Sequence, residues 1–262
     1  MRSINVIIPF LIFCFTFNYS SGQQLLGKVL DKARKKISKP KLVITNNENG
    51  GISSEVYYLV DEKHGKSTFY YNNGVKKSEE FYRNNLRDSI QVEYYENGNK
   101  QSEYFYDNGY RDSIQREYYN NGNLKTVYFL KNNEINGLYK DYYENTVLQN
   151  EYIYINGYQE GKQKSYYENG NLYSEKYYKN NLAEGTFKNY FENGVISIIT
   201  NYKNDLRNGE EINYCDENGQ IETTGSYVND LKNGLWKDWY CDGDPNYEIV
   251  YDMGKEVSRK DF

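Results

Sequence analysis

The 262-residue chain contains 32 Tyr and 21 Gly but only two Ala, Ala33 and Ala183, so it lacks the material of long helical bundles and coiled coils. Aliphatic and aromatic residues make up 38% of it, and setting Tyr aside leaves roughly a quarter of the chain, too little for a conventional Leu/Ile/Val core. With 32 Lys and Arg against 37 Asp and Glu, the net charge of −5 excludes a general attraction to nucleic acid.

The N-terminus reads as an export signal. Arg2 supplies a positive charge, residues 4–17 are mostly apolar, and Ser20 and Gly22 place small residues at −3 and −1 before Gln23. Residues 1–22 are expected to be a signal peptide rather than a membrane anchor, because Asn5 and Pro9 interrupt a stretch already shorter than the about 20 apolar residues a span needs. Bulky Phe13 argues against lipidation at Cys14. The predicted address is periplasmic, cell-surface or extracellular.

Residues 23–41 predict a basic amphipathic helix. Leu26, Val29, Leu30, Ala33 and Ile37 recur at helical spacing, Pro40 stops the run, and Lys28, Lys32, Arg34, Lys35, Lys36, Lys39 and Lys41 face a single acid, Asp31. Without this segment and Arg2, residues 42–262 carry −12. The helix is expected to cap the first repeat, with contact to a membrane surface or an acidic partner through Lys28, Lys32, Arg34, Lys35 and Lys36 as the alternative.

From residue 42 onward the chain repeats every 24 residues. Tyr70-Tyr71-Asn72-Asn73-Gly74 returns at Tyr94 to Gly98, Tyr118 to Gly122, Tyr166 to Gly170 and Tyr190 to Gly194, and Tyr142 to Thr146 keeps the phase without its Gly. Asn49-Gly50 precedes the series, while Asn218-Gly219 and Asp242-Gly243 continue it after one inserted residue. Eight residues past each anchor stands another Tyr (58, 82, 106, 154, 178, 202, 227 and 251), with Leu130 in the remaining unit. About nine units fill residues 42–254, leaving 255–262 as a tail and no length for a separate catalytic domain.

Each unit reads as a β-hairpin. Asn-Gly predicts a two-residue primed turn, segments such as Asn180-Asn181 and Asn204-Asp205 predict the second connection, and positions +2, +4, +6 and +8 past the anchor are expected on one face. A single hairpin is too small to fold alone, so stacked neighbours must supply the missing burial. The predicted architecture is all-β: about nine stacked antiparallel hairpins behind a short N-terminal helix.

The string Gly-x-x-x-x-Tyr-Tyr-Glu-Asn-Gly-x-Leu, seen best in residues 161–172 and also at 137–145 and 234–243, resembles the MORN-repeat variant found in bacterial antitoxin-like repeat proteins. The resemblance covers nearly all of the chain beyond the signal and implies hairpins side by side in a curved sheet, with protein contact or lipid association as the role. Ser89 and Ser113 depart from the pattern where a Gly should open the strand, and export argues against neutralising a cytoplasmic toxin.

Catalytic chemistry finds little support. His64 is the lone His, and Glu96, Glu144, Glu168 and Glu192 share one turn position, as structural residues do. Asp238, Asp242 and Asp244 lack the spacing of a calcium loop, so neither a metal nor a cofactor is expected. Cys215 and Cys241 invite a disulfide in an exported protein, but equivalent positions of adjacent hairpins lie about 9 to 10 Å apart, beyond the roughly 7 Å limit; only the inserted residue offers a way round. The expected function is a non-enzymatic scaffold that binds a protein or envelope component, with Trp236, Trp239 and Tyr240 as the candidate contact surface. Carbohydrate binding or carbohydrate-active chemistry on Tyr and Trp platforms, and lipid association through the basic helix, are the alternatives.

Overall fold

The computed structural model describes residues 27–30, 32 and 38–262. The expected signal peptide lies outside the described residues, as do Arg34, Lys35 and Lys36. Apart from helical residues 27–30 and 32 and the short lead at 38–40, the described residues form one open antiparallel sheet of 24 strands. It is a meander in which each strand pairs with the next full strand of the chain, from Lys41–Asn46 on Ile52–Leu59 to Pro245–Asp252 on Lys255–Asp261. Residues 255–262, expected as a tail, therefore supply the last strand, with Tyr247 facing Asp261 and Val250 facing Ser258.

Turn chemistry differs from the expectation in an instructive way. At the Asn-Gly end only the Gly has positive φ, for example Gly74 at 81°. Its N–H reaches the Tyr71 carbonyl at 2.9 Å, and the Tyr71 N–H reaches the Val75 carbonyl at 2.8 Å. This is a three-residue loop closed by a glycine, with Asn73 Oδ1 accepting from the Val75 N–H at 2.9 Å. The two-residue primed turn sits at the opposite end of the hairpins, where both residues have positive φ: Asn84 and Asn85 at 52° and 67°, Asn180 and Asn181 at 51° and 68°. Asn and Asp tolerate that conformation, so sequence composition allowed either end to hold the primed turn.

Two bulges per unit shape the strands. Beside the Asn-Gly loop the pairing slips by one residue, as where Ser78 faces Phe69 but Lys76 faces Tyr70. Position +2 is thereby out of phase with +4, +6 and +8, which corrects the expected single face. The second bulge precedes the strand-opening Gly: the N–H of Asp88, Asp112, Asn136, Glu160 and Glu184 each reaches across to the carbonyl of Phe81, Phe105, Phe129, Ile153 and Tyr177. Ser89 and Ser113 keep this geometry at φ 65° and 64°, where the other units use Gly.

The bulges leave one face of the sheet closed. Ser67, Ser102 and Gln115 are its most completely buried side chains, and buried Gln side chains occupy the bulge: Gln115 Nε2 donates to the Asp112 carbonyl at 2.7 Å, and Gln163 both donates to and accepts from the Ile153 backbone. A polar residue thus satisfies backbone groups that the bulge withdraws from the ladder. Tyr139, Phe187 and Trp236 take the same position in other units, stacking with tyrosines from neighbouring strands, such as Phe187 on Tyr202 at 4.4 Å.

Bonds between turns join units that are two strands apart. Cys215 and Cys241 are disulfide-bonded, with Cα atoms 5.8 Å apart and S–S 2.06 Å, contrary to the geometric expectation. They are not equivalent residues: Cys215 precedes a loop enlarged by the inserted residue, with Gly219 N–H on the Cys215 carbonyl, whereas Cys241 lies within the following loop. The loops lean on one another, as Asn218 Nδ2 to the Cys241 carbonyl at 2.5 Å shows.

Candidate interaction surface

The face opposite the closed one is built from positions +5, +7, +16 and +18 past each anchor. Cross-strand pairing brings Ile90 against Phe105, Ile114 against Phe129 and Leu138 against Ile153. These pairs line up across consecutive hairpins into an apolar stripe that begins at Phe81. The stripe is open to solvent: Ile114 is 39% exposed, Phe129 38%, Leu138 46% and Ile153 40%. Further along, the same positions turn polar, with Thr186 facing Asn201 and Glu210 facing Ser226, before Leu235 faces Val250 as a separate exposed apolar pair, 46% and 37% open. Packing against the sheet's own core does not require such a stripe on a solvent face, and isolated exposed apolar residues are ordinary, so what distinguishes this one is its continuity over consecutive hairpins.

A belt of ion pairs and tyrosines borders the stripe. Lys66 and Lys76 reach Glu79 Oε1 at 2.6 and 2.7 Å, while Tyr94 donates to Glu79 Oε2 at 3.0 Å. Lys140 on Glu151 and Lys162 on Glu175 repeat the arrangement at 2.8 and 2.6 Å. Burial opposes the charge on Glu79, but the bonds from Lys66, Lys76 and Tyr94 outweigh it and hold the carboxyl down at about 2. Burial, then the bond to Glu79, pushes Tyr94 up to about 12. The belt is thus a fixed polar frame, with its charges already satisfied, around an unsatisfied apolar strip.

The residues singled out from sequence do not form one surface. Trp236 is 6% exposed on the closed face. Its indole donates to the Ser226 carbonyl at 3.2 Å and lies so close over Gly225 that a Cβ there would stand 2.0 Å from the ring. Trp239 is half-buried at a strand end opposite Pro245, and Tyr240, 56% exposed, starts the last loop. Lys28 and Lys32 are exposed on the described helical residues, beside Val29 and Leu30. Asp238 accepts from Asn246 and Asp242 caps its own loop through the Asp244 N–H, so the three aspartates serve different local bonds. Among the described residues no helix is long and apolar enough to cross a membrane.

Sequence reasoning missed the apolar stripe because it followed the tyrosines. The signal was present: Phe81, Phe105, Phe129 and Ile153 repeat at one position of the unit and Ile90, Ile114 and Leu138 at another.

The model of the MORN repeat variant matches residues 63–84, 87–108, 111–132, 159–180 and 183–204. No curated protein matches the chain. Among solved structures, the crystal structures of TcdB2-TccC3 and TcdB2-TccC3-Cdc42 are similar at 11% identity and TM-scores of 0.22 and 0.20. The similarity covers 81% and 84% of this chain but only 14% of each of those chains, and nothing about function follows from a likeness of that order.

Proposed function

The chain belongs to the MORN-repeat variant family, and from that premise we propose that it is an exported, non-enzymatic scaffold that binds a protein or envelope component through the open face of its sheet. The observation that carries this reading is the solvent-facing stripe of Ile114, Phe129, Leu138 and Ile153. Several rigid hairpins present it at fixed spacing, which suits an extended partner surface and lowers the ordering cost of binding. The MORN repeat is a non-catalytic scaffold. The Cys215–Cys241 bond supports an oxidising compartment, in keeping with the N-terminal signal read from the sequence.

The test is a Phe129→Asp, Leu138→Asp double variant of residues 23–262, used as bait on the native envelope fraction. Both sites are already solvent-exposed, so the variant should keep its circular-dichroism spectrum while losing the partners that the parent captures. Equal capture by a folded variant would overturn the assignment.

A second reading rests on Val29 and Leu30, 58% and 59% exposed beside Lys28 and Lys32. That combination suits the headgroup region of an anionic membrane. Vesicle binding that disappears on deletion of residues 23–41 would support it; binding unchanged by that deletion would reject it.

A further inference from the structure

A cleft of about 560 Å³ opens on the closed face, opposite the apolar stripe, where the repeat loses one side chain. Arg207 shows what is missing. Its guanidinium lies 3.9 Å from the centre of the Tyr227 ring, its Nε stands 3.1 Å from Asp230 Oδ1, and its backbone N–H bonds the same carboxylate oxygen at 3.0 Å. Lys63, Arg87 and Lys232 hold the equivalent position in other units, at 4.8, 5.5 and 5.3 Å from the rings of Tyr82, Tyr106 and Tyr251. Four units thus stack a cation on the +8 Tyr of the following hairpin, Arg111 stacks on Tyr104 instead, and Ile135 and Gln159 hold the position in two others.

Twenty-four residues before Arg207 the position is Ala183. The rest of the arrangement persists: the Ala183 N–H bonds Asp205 Oδ1 at 2.5 Å, as Arg207 does Asp230, and Tyr202 stands where Tyr227 does. The cation is absent, and unlike Ile135 or Gln159 the Ala183 methyl leaves the space above it open. Above Ala183 the cleft is walled by Tyr178, Phe187 and Tyr202, with ring centres 5.5 and 4.4 Å apart in sequence. Asn189 Oδ1, buried on the cleft wall, has no hydrogen-bond partner, and among the described residues no cation pairs with Asp205.

The geometry points to a guanidinium guest, the side chain of an Arg presented by a partner polypeptide, seated over Ala183. The planar cation stacks on the Tyr202 ring beside Phe187, where its own chain supplies no cation, and its N–H groups reach Asp205 at the rim; Asn189 lies about four residues farther along the strands and stays outside that contact. Glu211 lines the far wall and accepts from Thr200 Oγ1 at 3.1 Å. Lys176 is the one opposing charge without an ion-pair partner at the site, while Arg207 is engaged by Asp230.

N-acetyl-arginine amide titrated into isotope-labelled residues 23–262 tests the assignment, with N-acetyl-norleucine amide as the uncharged control. Saturable shifts of the Ala183, Tyr202 and Asp205 amides are expected with the arginine probe alone. Asp205→Asn should weaken binding about fivefold while keeping the fold, since Asn181 holds the equivalent turn position. Ala183→Arg should abolish the shifts and raise the melting temperature by restoring the internal cation. Lys176→Met should tighten binding. Absence of saturable shifts, equal response to norleucine, or undiminished binding in Ala183→Arg would overturn the proposal, whatever the outcome for the apolar stripe on the other face.

Discussion

Tyr119 Oη donates to the main-chain carbonyl of Tyr142 at 2.7 Å, bridging two strands to reach the next hairpin. Tyr71 to Tyr94, Tyr95 to Tyr118, Tyr143 to Tyr166 and Tyr167 to Tyr190 repeat the bond at 2.7 to 2.8 Å. The ladder stops at Phe191, which has no hydroxyl, and one unit later the Cys215–Cys241 disulfide joins the loops instead. At the opposite end of the hairpins, Asn85 N–H on the Lys63 carbonyl and Asp205 N–H on the Ala183 carbonyl, both at 3.0 Å, serve the same purpose. Units are therefore tied beyond the strand ladder, at both edges of the sheet.

Removing one rung should cost the worth of one hydrogen bond. Tyr119→Phe keeps the ring and loses only the hydroxyl, so a loss of about 1 kcal/mol is expected in urea unfolding. Tyr71→Phe, two units away, should add to it within about 0.5 kcal/mol. A midpoint indistinguishable from the parent in the double variant would mean that the hydroxyls prefer water.

Four residues hold conformations that suit other side chains better. Val60 and Met253 take φ 62° and 45° where seven other units use Asn, and Ser89 and Ser113 take φ 65° and 64° where most use Gly. A β-branched residue in the left-handed region is the most strained of them. Val60→Asn and Ser89→Gly should each stabilise the protein by about 1 kcal/mol, read as a raised urea midpoint at unchanged slope.

The period, the strand content and the role of the tyrosines were legible because each recurs nine or so times and any error in phase would show. What escaped was set by single residues that the repeat does not average. One bulged residue at Lys77 and its counterparts put position +2 out of phase. One inserted residue before Gly219 brought Cys215 within reach of Cys241. Trp236 looked like a surface anchor until Gly225, with no side chain of its own, made room for its indole on the closed face. The open-face stripe was visible in the sequence but could not be assigned a side until the second bulge fixed the phase of the strand that carries Ile114 and Leu138.

Stability should fall at both extremes of pH. Glu79 is held at about 2 against an ordinary 4.5, and Glu103 and Glu175 are lowered in the same direction by their lysines despite burial. A lowered carboxyl stabilises the fold above the unfolded value and loses that contribution as pH drops from about 4.5 toward about 2. Tyr82, Tyr94, Tyr104, Tyr118 and Tyr139 are pushed up to about 12 from 10, chiefly by burial. Their contribution is complete below pH 10 and is lost as pH rises toward 12. Urea midpoints should decline below pH 4.5 less steeply in Glu79→Gln than in the parent, and tyrosinate absorbance should rise in two phases, the later one near pH 12.

Breaking the disulfide should loosen the C-terminal hairpins without unfolding the whole array. The bond closes a loop of 26 residues, for which chain entropy predicts about 3 kcal/mol. In a nearest-neighbour array the loss falls on the units that the bond joins. Hydrogen exchange in a Cys215→Ser, Cys241→Ser variant should accelerate over residues 206–261 and remain at parental rates over 76–155. Uniform acceleration would instead mean that the sheet unfolds as one unit.

Deleting a whole unit is the strictest test of the stacking. Removal of residues 99–122 joins Gly98 to Asn123, so the loop keeps its Gly followed by Asn, and Tyr95 meets the Tyr142 carbonyl in place of that of Tyr118. Every column of both faces is conserved, and the array is simply shorter. Removal of residues 99–110 takes away one long strand and one primed turn, leaving Ser113–Tyr118 to run antiparallel where its side chains expect the opposite direction. All later columns then lose their partners. The first variant should keep the parental circular dichroism per residue with a smaller urea slope, and the second should lose much of its strand signal; similar spectra from both would show that the 24-residue unit is not what folds.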